Sequence, residues 1–86
     1  MPEICRFYGI VIKMFWSDHG PPHFHAEYGD HRAVIAIDTL AVLRGDLPPR
    51  ALGMTIEWAT ARREKLMGLW RLAEANRPLH RLEPLV

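Results

Sequence analysis

Phe24-His25-Ala26-Glu27-Tyr28-Gly29-Asp30-His31-Arg32-Ala33-Val34-Ile35-Ala36-Ile37-Asp38 is the stretch from which the fold is read. Gly29-Asp30 is a two-residue connection of the kind that closes a β-hairpin. A turn there sets Tyr28 opposite His31, Glu27 opposite Arg32, Ala26 opposite Ala33, His25 opposite Val34 and Phe24 opposite Ile35. Side chains alternate along a strand, so Phe24, Ala26, Tyr28, Ala33, Ile35 and Ile37 share one face. His23, His25, Glu27, Arg32, Val34, Ala36 and Asp38 share the other. Facing opposite charges contribute about 0.2–1 kcal/mol in a sheet, which favours the register pairing Glu27 with Arg32. A slip by one residue would turn His25 and Glu27 onto the isoleucine face.

Working outward, Phe7 to Trp16 reads FYGIVIKMFW, aromatic and β-branched, and is expected to be a single inner strand because both of its faces are apolar. On the other side, Asp38-Thr39-Leu40-Ala41 forms a second turn into a short Val42-Leu43-Arg44 strand. Gly45-Asp46 before Pro48-Pro49 is a helix start: Asp46 is suited to cap, and proline is tolerated in a first turn whose amides lack partners. The helix is expected to run to about Asn76 and stop before Pro78. Its stripe is Leu52, Ile56, Ala59, Leu66, Trp70 and Ala73, flanked by Ala51, Trp58 and Leu69. Arg63 falls inside that stripe, which a long stem with its head in water would allow. Three leucines in LHRLEPLV (79–86) imply that this end packs back rather than trailing free.

The expected architecture is α+β: an antiparallel sheet of three or four strands from the N-terminal half, packed against one long helix over about residues 48–76. The C-terminal segment is a short edge strand or an extended piece. Residues 1–86 make one domain, since a chain of this size does not divide further. With 49% hydrophobic residues the core needs no disulfide, and a single cysteine, Cys5, excludes an internal one. That usage fits a reducing, cytoplasmic setting. The N-terminus shows no basic segment followed by an apolar run, and no stretch is long enough to span a membrane. Residues 1–47 carry four Lys/Arg against six Asp/Glu, and residues 48–86 seven against four, so the second half is the basic one.

Three of the five histidines, His19, His23 and His25, lie close together around Gly20-Pro21-Pro22. Imidazole suits zinc, nickel, copper or iron, and His-x-His on a strand presents two rings on one face. His19, His23 and His25 are therefore candidate metal ligands, with Glu27 continuing the face. A metal-free alternative uses His23 and His25 as acid and base, with Glu27 and Arg32 completing the site, because imidazole titrates near working pH and suits phosphodiester cleavage. Arg62, Arg63 and Lys65 form a basic cluster that could meet phosphate. A bland alternative stands beside both: histidines covering a solvent face, with Glu27 and Arg32 as an ordinary surface pair.

PEICRFYGIVI, DHGPPHFHAEYGDHRAVIAI, GDLPPRAL, EWA and the closing PLHRLEPL together resemble domain-of-unknown-function family 4160, small bacterial proteins, over almost the whole chain. DH-x-PPHFH is the most specific of these elements. The chain departs from the family pattern at Gly68-Leu69-Trp70, where an acidic-Asn-Trp segment is expected. The resemblance implies a toxin component of a type II toxin-antitoxin module. It also implies a small antitoxin-like partner resembling domain-of-unknown-function family 2442; RNA as a target is one step further removed and comes from the acid-base reading of His23 and His25.

Overall fold

The structure, a computed structural model, describes residues 2–86. Five strands form an antiparallel meander in sequence order: β1 (Glu3–Phe7), β2 (Ile10–Lys13), β3 (His23–Tyr28), β4 (His31–Ala36) and β5 (Val42–Gly45). Two helices follow, α1 (Pro49–Thr60) and α2 (Arg63–Glu74). The β3–β4 hairpin has the register that Gly29-Asp30 dictates, from Tyr28 opposite His31 to Phe24 opposite Ile35, and extends to His23 opposite Ala36. Phe24, Ala26 and Ile35 are fully buried on its inner face.

Two expectations are corrected. The run from Phe7 to Trp16 is not one strand: Tyr8 and Gly9 turn the chain back with positive φ of 48° and 81°, making β1 and β2 a hairpin. Glycine adopts that conformation freely and tyrosine rarely does, so the turn hides inside a run of strand-forming residues. This raises the sheet to five strands.

The single long helix of residues 48–76 is likewise two helices, broken at Ala61-Arg62. Sheet-facing positions are Ala51, Thr55, Trp58 and Ala59 in α1, then Leu66, Leu69, Trp70 and Ala73 in α2. A continuous helix would need one more apolar turn between Ala59 and Leu66, and the chain offers only Ala61-Arg62-Arg63-Glu64-Lys65. Breaking the helix avoids burying an arginine. Arg62 leaves helical geometry (φ −126°, ψ 21°), and its guanidinium donates to Trp58 O at 3.0 Å and Pro84 O at 3.1 Å. Arg63, the misfit in the expected stripe, is exposed as a result. Asp46 does not cap α1: Pro48 occupies that position without a side-chain bond, and Asp46 N–H instead donates to Arg32 O.

α2 ends in a left-handed residue, Asn76 (φ 55°), with Arg77 N–H donating to Leu72 O and Asn76 N–H to Ala73 O, the paired bonds of a Schellman motif. Trp58 centres the core, 5.5 Å from the Phe7 ring and 6.0 Å from that of Phe24. The C-terminal residues form an extended strap rather than a strand. Leu82 N–H donates to Ile4 O at the free edge of β1, and Glu83 O accepts from Trp58 Nε1. Among the described residues, no helix is long and apolar enough to cross a membrane.

Candidate functional site

Helices cover one face of the sheet, and the other is an open groove. The groove, about 420 Å³, is lined by Lys13 and Phe15, by His25 and Glu27 of β3, by Arg32 and Val34 of β4, and by Arg44 of β5. Alternation along β3 and β4 sends His25, Glu27, Arg32 and Val34 to this side. Lys13 Nζ lies 3.1 Å from Glu27 Oε1, so those charges offset each other. Arg32 and Arg44 have no acidic partner within salt-bridge distance among the described residues. The groove is therefore cationic at its centre.

At one end the loop between β2 and β3 brings a carboxylate onto the histidines. The loop is pinned at both sides: Trp16 Nε1 donates to Arg77 O at 2.8 Å and Ser17 Oγ to Asn76 Oδ1 at 3.2 Å, while Ile37 N–H donates to Pro22 O at 3.0 Å. Between the pins, Ser17 (φ 58°) and Gly20 (φ 90°) bend the chain so that Asp18 turns inward. Its Oδ2 is 2.8 Å from His23 Nε2 and 3.3 Å from His25 Nε2, and its Oδ1 accepts the His19 amide at 3.0 Å. Partial burial raises the Asp18 carboxyl. Hydrogen bonds from His25, the His19 amide and His23 outweigh that and hold it below its ordinary value.

The two histidines differ in setting. His23 is buried, its ring 5.0 Å from that of Trp70, and Pro21 O lies 2.8 Å from its Nδ1. His25 is half-buried, with Phe15 edge-on at 4.7 Å. Its Nδ1 has no hydrogen-bond partner among the described residues and is not sealed by them.

Of the residues singled out from sequence, His25, Glu27 and Arg32 line one groove, while His23 lies beside His25 but beneath the surface. His19 is exposed and contributes its backbone amide, not its ring. The residue that sequence reasoning passed over is Asp18, whose signal was a carboxylate just before Gly-Pro-Pro. Arg62, Arg63 and Lys65 line a separate hollow of about 430 Å³ at the helix junction, and Arg62 is committed to carbonyl oxygens there.

The family model described as Domain of unknown function (DUF4160) matches residues 9–71. That span holds the groove and the Asp18–His23–His25 cluster; β1 and the C-terminal strap lie outside it. No curated protein and no solved structure matches the chain.

Proposed function

The chain belongs to the DUF4160 family, a description that assigns no activity, and from the open sheet face we propose that the protein binds RNA there and cleaves it with His25 as base. The observation that carries this reading is the meeting of the cationic groove with a histidine oriented by a carboxylate. Arg32 and Arg44 suit the phosphodiester backbone, since a guanidinium presents a planar fork of donors to phosphate oxygens. Phe15 adds an aromatic surface for a base.

In the cleavage step, Asp18 accepts the Nε2 proton of His25 as a hydrogen bond, which leaves the Nδ1 lone pair free. Nδ1 takes the proton of the ribose 2′-hydroxyl. The 2′ oxygen bonds to phosphorus as the bond from phosphorus to the 5′ oxygen breaks, and water protonates the departing oxygen. The product carries a 2′,3′-cyclic phosphate. Arg32 and Arg44 are placed to offset the charge that develops on the phosphoryl oxygens. His23 is a positioning residue in this scheme, and Glu27 keeps Lys13 in place.

The family resemblance extends the proposal to a toxin whose small partner neutralises it by covering the groove. Expression without the partner is then expected to arrest growth, and His25→Ala to abolish the arrest while the protein stays folded. The purified protein is expected to cleave single-stranded RNA in the presence of EDTA. The loss in His25→Ala should be about 100-fold or more, the usual contribution of a positioned base. Undiminished cleavage or toxicity in the folded variant would overturn the reading.

A further inference from the structure

We propose that Asp18, His23 and His25 bind one divalent transition-metal ion of the zinc class. Asp18, His23 and His25 each offer one donor atom, and these atoms all lie within 4.8 Å of one another. Ligands held about 2.0–2.2 Å from zinc are themselves on the order of 3 Å apart. The observed 2.8 Å and 3.3 Å from Asp18 Oδ2 to the two rings are of that size.

Hydrogen bonding at His23 points the same way. Pro21 O lies 2.8 Å from its Nδ1, so Nδ1 carries the proton and donates it to that carbonyl. Metal-ligating histidines are oriented in this way, the far nitrogen donating to a backbone carbonyl while the near one keeps its lone pair. His23 is 4% exposed, so its Nε2 is aimed at Asp18 within the cluster rather than at solvent.

Two imidazoles and one carboxylate select a borderline transition ion over magnesium or calcium, which take oxygen donors. The Asp18 and His25 side chains are 31% and 25% exposed, so solvent or substrate can complete the coordination. The loop is pinned to the residues just past the ends of α2 and β4, which holds the carboxylate over the strand.

One consequence rests on the proposed RNA cleavage: an ion on His25 Nε2 keeps the ring's proton at Nδ1, where it cannot accept the 2′ proton. Metal occupancy would thus switch the base off.

The test is calorimetric titration of the untagged, full-length protein with Zn2+ after chelation and dialysis. One saturable site is expected, weakened about tenfold or more in Asp18→Ala and in His25→Gln. His19→Gln alters the exposed neighbouring ring and should bind within twofold of the parent. The mutated side chains of Asp18 and His25 are partly exposed, unlike that of His23, so these two variants should fold; circular dichroism checks each. No saturable binding by the folded parent at millimolar Zn2+ would overturn the site. Unchanged affinity in both Asp18→Ala and His25→Gln, or loss of binding in His19→Gln, would do the same. If Zn2+ binds as described but RNA is not cleaved with or without it, the site stands and the cleavage reading falls. If RNA cleavage proceeds undiminished at saturating Zn2+, the metal switch is overturned.

Discussion

At the residue scale, the histidine pair shows how much a sequence states and where it stops. His-x-His on a strand places both rings on one side, as alternation requires. It does not state that one ring is buried beside Trp70 while the other lines the groove, because that depends on which helix residues reach the strand end. Asp18 was harder still. Its approach rests on backbone bends at Ser17 and Gly20 and on two pins to the residues just past α2, contacts some 60 residues apart in sequence. Glu3 is another group whose setting only the fold reveals. Hydrogen bonds from Arg6 and Arg81 hold its carboxyl down to about 2. A carboxyl depressed in the folded state adds stability above its unfolded value of about 4.5, and that stability is lost as pH falls toward 2. Acid titration should therefore loosen the strap at Arg81 in that window, and Glu3→Gln should remove the pH dependence; NMR of the carboxyl carbon and of the Leu82 amide reads both. Cys5 is expected to resist thiol reagents in the native state, since burial raises its thiol and leaves it 1% exposed.

At the scale of elements, the β3–β4 hairpin was fully legible because one turn and one charge pair fix a period-two pattern. The helix was legible as a helical stretch but not as a broken one. Arg63 within the apolar stripe was the warning, and it has two physical readings: an arginine reaching out to water, or a stripe that ends there. The structure has the second. Arg62 then joins two elements, bonding the last turn of α1 and the C-terminal strap, with its guanidinium 5.6 Å from the Trp58 ring. Arg62→Ala should cost about 1–2 kcal/mol, the worth of one or two charge-assisted bonds, as measured by urea unfolding. Gly45 ends β5 with φ of 73°, and a β-carbon there would meet the Arg32 carbonyl oxygen. Gly45→Ala should cost about 2 kcal/mol or more and release β5 first, which amide exchange along Val42–Arg44 would show. Equal stability of that variant would mean that the close approach is not maintained in solution.

For the whole molecule, the sheet divides its labour by face. One side carries Trp58, Leu66 and Leu69 against isoleucine and phenylalanine, and the other carries Lys13, His25, Glu27, Arg32 and Arg44. The edges differ as well: the strap bonds β1 at Ile4, whereas β5 is exposed along its length. The excess of basic residues lies in the second half of the sequence, which holds the Arg62, Arg63 and Lys65 cluster. The groove cations come instead from Lys13, Arg32 and Arg44, all in the half with net negative charge. Net charge by segment could not show this, because folding brings cations from three strands to one groove, where Glu27 pairs with Lys13 alone. The most direct test of the account is an amide and side-chain NMR titration of the folded protein with a short single-stranded RNA at low salt. Saturable shifts are expected at Lys13, Phe15, His25, Arg32 and Arg44, weakened by added salt and by the Arg32→Ala, Arg44→Ala double variant. Shifts confined to Arg63 and Lys65 at the helix junction, or none at any residue, would contradict it.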